Sequence, residues 1–297
     1  METLESLQRK ITGAGELKSV VRTMKAMAAS RIGEYEMAVS ALGDYYRNLA
    51  LALSVCFRQP EIAEFKPKAE ANIDAQTTAF LLVFGSEQGL IGPYNEKLTE
   101  FVKKSSSSLA YSLEAWAIGA RIEESLQDQH IEVSKLFPVP NSVDGITSLV
   151  VEILSNIEET REKGPAVFYI FHNQPKTGVA YEQIKQRLLP FDREWQQEFS
   201  EINWPNNNLP EVLGDLSTIL SNFIKEYIFV SIYKASAESL ASESAARLAA
   251  MQRAETNIRE LLEDLKNDFH RLRQTSIDEE LFDVISGFEA LNHHPEE

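Results

Sequence analysis

The sequence predicts a mixed α+β/α/β fold: a long antiparallel coiled coil of N- and C-terminal helices with an inserted α/β, Rossmann-like domain. Three observations predict it. Residues 2–58 contain no proline, and residues 215–286 contain neither proline nor glycine; in both, apolar residues recur at three- and four-residue spacing. Between these stretches, apolar runs of strand length alternate with helical patterns, which indicates a mainly parallel sheet. The middle of the second stretch, "AESLASESAARLAAMQRA", is rich in alanine and serine, small residues that let another backbone come close, so its partner is expected to be the other long helix. The expected division is a long helix over residues 1–60, a globular α/β domain over 61–209 and a second long helix over 210–297.

The first helix carries Leu4, Leu7, Ile11, Ala14, Leu17, Val20 or Val21, Met24, and Met27 or Ala28 as its stripe. Gly13 and Gly15 each weaken it by about 1 kcal/mol, so bending is expected there, and Pro60 and Pro67 end the segment. The strands are "TTAFLLVFG", "YSLEAWAIG" and "PAVFYIFHN", with helices around 94–108, 119–129 and 143–163, and "GVAYEQIKQRLLPF" is one more extended segment. "NWPNNNLP", residues 203–210, is a loop by composition. The second long helix has Leu216, Ile219, Leu220, Phe223, Tyr227, then Ala254, Ile258, Leu261, Leu265, Phe269 and Leu272, in coiled-coil steps of three and four. If continuous it runs on the order of 100 Å at about 1.5 Å per residue. Helices of this length project beyond the insert, and their protruding faces need a partner that grips a rod.

The net charge of −16 argues against nucleic acid as a partner, because phosphate binding needs a basic face. The acid is unevenly spread. The first 31 residues carry Arg9, Lys10, Lys18, Arg22, Lys25 and Arg31 against Glu2, Glu5 and Glu16. Such a segment either meets an acidic partner surface or is a solvated helix face. No run of eighteen apolar residues is present, so no membrane insertion is expected. The start, "METLESLQRK", has no apolar region of a secretory signal. The single cysteine, Cys56, allows no internal disulfide and no multi-cysteine metal site, which fits a reducing compartment.

The stretch "FGSEQGLIGPYN" sits at the carboxyl end of a predicted strand, where nucleotides bind in α/β sheets. Its glycines, Gly85, Gly89 and Gly92, match neither GxxxxGK[ST] nor GxGxxG, so a structural or protein-contact turn is expected and no cofactor. His130, His172, His270, His293 and His294 show no metal-ligand spacing, and the last two lie in a tail expected to fray, so no metal is expected. "IDEELFD" and "IRELLEDLKND" read as solvated helix faces. No serine, cysteine or histidine nucleophile motif is present, so no catalytic residue is expected.

Two longer strings carry a resemblance. "LASESAARLAAMQRAETN", followed by "HRLRQTSIDEELFDVISG", resembles the C-terminal signature of the gamma subunit of F-type ATP synthases, which reads approximately SExxARxxAMxxATxN and then xxRQxxITxELxEIVSG. Ser242, Glu243, Ala246, Arg247, Ala250, Met251, Ala254, Thr256 and Asn257 match the first part, and Arg273, Gln274, Ile277, Glu280, Leu281 and Val284 to Gly287 the second. The N-terminal "RKITGAGELKSVVRTMKAMAASRI" is similar to the family's opening helix, with Lys10, Ile11, Met24, Ala28, Ala29, Ser30 and Arg31 in register. The glycine stretch is similar to the family's SDRGLCGGLN loop at Gly89, Leu90, Gly92 and Asn95, with Glu87 and Gln88 replacing an acidic-basic pair and Ile91 the usual cysteine.

The resemblance implies a central rotor stalk in a ring of three alpha and three beta subunits, its globular part on the c ring beside the epsilon subunit. It implies no catalysis by the chain itself, coupling of ion flow to ATP chemistry by rotation, and a peripheral place at the cytoplasmic face of the membrane. By the same resemblance Arg273, Gln274 and Glu280 touch the beta subunits, and Arg22 and Lys25 present a basic face to acidic beta loops. Leu281 to Leu291, Ile285 among them, enter an apolar sleeve; Glu243 and Arg247 form a polar pair where the stalk emerges; Glu87, Gln88 and Gly89 form a loop contact of the globular domain. Asp278 departs from a usual threonine, and "NWP" stands where many members have Tyr-Glu-Pro, so the footing on the c ring differs. "METLESLQRKI" and "SVVRTMKAMAAS" look closer to the alternate branch, whose members often belong to sodium-translocating machines. The plant-type insertion with two cysteines is absent, so no thiol switch through Cys56 is expected. The competing expectation is a free-standing coiled-coil scaffold or tether with an α/β binding module.

Overall fold

Helix α1, Leu4–Phe57, is 54 residues long and runs through Gly13 and Gly15 without interruption. Strand β1, Thr78–Phe84, opens the α/β insert, followed by α2 (Tyr94–Ser106), β2 (Ser112–Ile118), α3 (Ala120–Asp128), β3 (Val133–Phe137) and α4 (Val143–Lys163). Then come β4 (Ala166–Lys176), β5 (Val179–Leu189), α5 (Arg193–Ser200) and α6, Leu216–Asn292, of 77 residues. These elements belong to a computed structural model that describes residues 3–59, 77–107, 109, 111–176, 179–191, 193–206, 208 and 210–292. Pro60, Pro67, His293 and His294 lie outside the described residues.

The sheet order is β3-β2-β1-β4-β5. β1 pairs in parallel with both β2 and β4, β2 in parallel with β3, and β4 antiparallel with β5. Leu82 of β1 lies opposite Trp116 of β2 and Ile170 of β4. The strands read as continuous apolar runs because both faces of the sheet are covered. On one face Phe80, Leu82, Trp116, Ile118, Phe168 and Ile170 pack with Ile146, Val150 and Ile153 of α4 and with Ile228, Ile232 and Leu240 of α6. On the other, Leu81, Val83, Ala117 and Phe171 pack with Leu98 and Val102 of α2 and Ile122 and Leu126 of α3. A third cluster joins Leu49, Leu53, Cys56 and Phe57 of α1 to Trp195 and Phe199 of α5 and to Leu220, Tyr227 and Val230 of α6.

The three apolar runs are β1, β2 and β4, and the extended segment is β5; β3 and α5 are additions that the sequence reading did not contain. Every seventh residue of α1 from Leu7 through Ala14, Val21 and Ala28 to Tyr35 is buried, a heptad seam. Leu17, Val20 and Met27 are exposed, so the seam is narrower than the predicted stripe.

The chain divides into two compact units, Met1–Met27 with Leu248–Glu297, and Ala28–Arg247. In the first, Val21 and Met24 pack on Ala250, Met251, Ala254, Ile258 and Leu262. In the second, Tyr45 of α1 donates to Glu226 of α6 (2.7 Å) and the Tyr46 hydroxyl lies 3.5 Å from that of Tyr227.

Candidate functional site

The carboxyl ends of β1 and β4 form one candidate region. Beyond Phe84 the chain must pass beneath α3, and a Cβ at Gly85 would lie 2.2 Å from that of Ile122, so only glycine fits. The loop then closes on itself. The Ser86 amide donates to Asn95 Oδ1 (3.2 Å), the Asn95 amide to Ser86 Oγ (2.9 Å), and Ser86 Oγ to the Gln88 carbonyl (3.0 Å). The Arg121 amide donates to the Ser86 carbonyl (3.0 Å). Glu87 accepts from the Ala120 amide (3.4 Å) and so places its carboxylate at the positive end of α3. Leu90 and Gly92 adopt left-handed φ of 61° and 65°. The Ser86, Glu87 and Asn95 side chains thus serve the turn's own neighbours.

Helix α6 lies against this turn. Arg247 pairs with Glu243 at 2.6 Å and donates to the Gln88 carbonyl at 3.5 Å. The loop residue Gln88 and the Glu243–Arg247 pair, two separate features of the sequence, therefore form one cluster. Burial pushes the Glu243 carboxyl above its ordinary range; Arg247 and then Arg31 pull it down, and Glu87 adds to the rise. Next to the cluster Ser239 Oγ donates to the Phe84 carbonyl (3.0 Å), Ser242 Oγ to the Asn173 carbonyl (3.0 Å), and the Tyr94 hydroxyl to the Ser239 carbonyl (2.9 Å). One turn earlier, buried His172 and Glu238 meet at 2.7 Å, and Gln174 donates to the same carboxylate (2.9 Å). Sequence reasoning missed these partners. The signal was the spacing of Ser236, Ser239 and Ser242 on one helix face, read only as room for a backbone.

The other predicted residues fall in the coil unit. Arg22 and Lys25 both reach Glu255 of α6, at 3.1 and 2.5 Å. The hydrogen bond from Lys25, then that from Arg22, holds the Glu255 carboxyl below its usual range. The Arg22 side chain is largely exposed, and the Lys25 side chain is half-buried. Arg273, Gln274 and Glu280 are exposed. Every residue from 277 to 288 is exposed as well, and the large apolar ones there, from Ile285 at 44 % to Phe282 at 69 %, include a stripe of Ile277, Leu281, Val284, Ile285 and Phe288. An apolar stripe of this kind marks an interaction face. Among the described residues no group of three His, Cys, Asp or Glu is placed to hold a metal ion, and no helix is long and apolar enough to cross a membrane.

A family model described as ATP synthase matches residues 3–291. The chain belongs to the gamma-subunit family of F-type ATP synthases. Among curated relatives, the ATP synthase gamma chain of Christiangramia forsetii is 25 % identical over 299 residues, covering 98 % of this chain and 100 % of that one. The gamma chain of Sinorhizobium medicae is 24 % identical with the same two coverages. Among solved structures, the rotor of the Euglena gracilis mitochondrial ATP synthase aligns with a TM-score of 0.63 at 13 % identity, over 92 % of this chain and 98 % of that one. A second structure of that synthase, containing OSCP, F1 and the c ring, aligns with a TM-score of 0.64 at 15 % identity, over 97 % of this chain and 94 % of the matched one. The gamma-subunit family thus accounts for the whole run of elements, from α1 through the insert to α6.

Proposed function

We propose that this chain is the central rotor stalk of an F-type ATP synthase, non-catalytic by itself, and that it couples transmembrane ion flow to ATP synthesis or hydrolysis. The observation that carries this reading is the end of α6, where Ile277, Leu281, Ile285 and Phe288 stand exposed on one face. An apolar face on a chain of net charge −16 is stable only inside a partner. A ring of alpha and beta subunits is that partner, with Leu281 and Ile285 in its sleeve and Arg273, Gln274 and Glu280 against the beta subunits. Arg22 beside Glu255 offers its exposed guanidinium to the same ring. Glu87, Gln88 and Gly89 are a contact of the globular domain, which stands with the epsilon subunit on the c ring at the cytoplasmic face of the membrane.

An asymmetric stalk acts by contact. Each orientation presents a different face to each beta subunit, and a site shifts between open and closed states only as far as those contacts differ in free energy. Reconstitution tests the proposal. Purified alpha and beta subunits are mixed with and without this chain, and ATP turnover is expected to depend on its addition. Turnover no higher than that of the alpha–beta mixture alone overturns the rotor reading, and a symmetric self-associated rod then favours a scaffold.

A further inference from the structure

The sheet order contains a reversal. From β1 the strands step outward through β2 to β3 on one side and to β4 on the other. In open parallel sheets the crevice at such a reversal, beyond the carboxyl ends of the strands, is where ligands bind. Here helix α6 fills it. Ser239 Oγ bonds the carbonyl of Phe84, the last residue of β1, at 3.0 Å, and Ser242 Oγ bonds that of Asn173 in β4 at 3.0 Å. The Tyr94 hydroxyl, at the start of α2, returns a bond to the Ser239 carbonyl at 2.9 Å. All three side chains are buried. Arg247 closes the far end through the Gln88 carbonyl.

We infer that the α6 segment from Ser239 to Arg247 is the joint that passes torque between the α/β domain and the long helix, an inference that rests on the rotor reading above. The hydrophobic effect is non-directional and does not by itself fix the helix's orientation. Hydrogen bonds lose strength steeply as their angles open. A turn of the helix against the strand ends would break three hydroxyl–carbonyl bonds together. Two serines three residues apart set both hydroxyls on the face that meets the sheet, and their small size lets the helix backbone descend onto it.

The test uses the complete synthase in lipid vesicles, carrying the parent chain, Ser239→Ala with Ser242→Ala, or Tyr94→Phe. ATP hydrolysis and the ATP-driven membrane potential, read with a voltage-sensitive dye that responds to any pumped cation, are measured on the same vesicles. Hydrolysis is expected to stay within about twofold of the parent, while potential generated per ATP falls about threefold or more in the double variant and less in Tyr94→Phe, as loss of one or two buried hydrogen bonds implies. A variant that merely assembles less well lowers both signals in proportion and leaves their ratio unchanged. An unchanged ratio overturns the joint; where the double variant fails to assemble, Tyr94→Phe alone decides. A parent chain that hydrolyses ATP without building a potential overturns the rotor reading instead, before any variant is compared.

Discussion

Glu243 titrates against the direction that its own ion pair sets. Arg247 lies 2.6 Å away, yet burial raises the carboxyl's pKa above its ordinary value. A carboxyl raised in the folded state binds its proton more tightly there than in the unfolded chain. Its stabilising contribution is present below the unfolded value and is lost as pH rises through the folded one. The parent is therefore expected to lose stability relative to Glu243→Gln as pH rises from acid to neutral, whatever the offset between the two, in denaturant melts taken across that range. Removing the cation is costly: Arg247→Ala leaves a buried carboxylate without its partner and costs about 3 kcal/mol or more, read from urea midpoints. Gly85→Ala forces a Cβ into Ile122 and costs about 1–3 kcal/mol by the same measurement. The sequence showed that the Gly85 loop lacks phosphate chemistry. It did not show Ile122, because that neighbour arrives through tertiary packing. Nor did it distinguish Ser239 and Ser242 from surface serines, since helical spacing is the same whether a hydroxyl faces water or a strand-end carbonyl.

Elements with a strong period were the most legible. The seam of α1 keeps Leu7, Ala14 and Val21 at seven-residue intervals, and where the sequence left Val20 or Val21 open, packing selects Val21. Met251→Ala is expected to cost about 2–5 kcal/mol within the coil, seen as faster amide exchange in residues 248–262 with the strands of the sheet unaffected. Gly13→Ala and Gly15→Ala work in the opposite sense. Among the described residues, nothing beyond the flanking residues and the helix's own backbone lies within 4 Å of a Cβ at either position, so each is expected to slow exchange in α1 by a gain of about 1 kcal/mol. The two elements that the sequence reading lacked are short. β3, "VSKLF", has five residues, alternately less and more exposed, with a lysine over the Trp116 ring where an apolar residue would have marked it. α5, "REWQQEFS", has eight residues and buries its aromatic side through Trp195 and Phe199, two positions that fix no period.

At the scale of the whole molecule, the order of elements followed from proline content and apolar spacing: two proline-poor, helix-periodic ends around a strand-and-helix middle. The compact units divide between Met27 and Ala28 and between Arg247 and Leu248, inside two helices, where no proline or glycine cluster marks a boundary. The exposed end of α6 sets the behaviour of the isolated chain. Leu281→Ser with Phe288→Ser is expected to reduce self-association in light scattering and to weaken binding to an alpha–beta mixture about tenfold or more; equal affinity would mean that this stripe lies outside the interface. The solitary cysteine has a practical consequence. Cys56 is buried beneath α5 and α6, and burial pushes its thiol above the ordinary range, so maleimides pass it over at neutral pH. A cysteine introduced on an exposed helix face becomes the single address for a fluorophore or a magnetic bead, and motion can be watched in an otherwise native background.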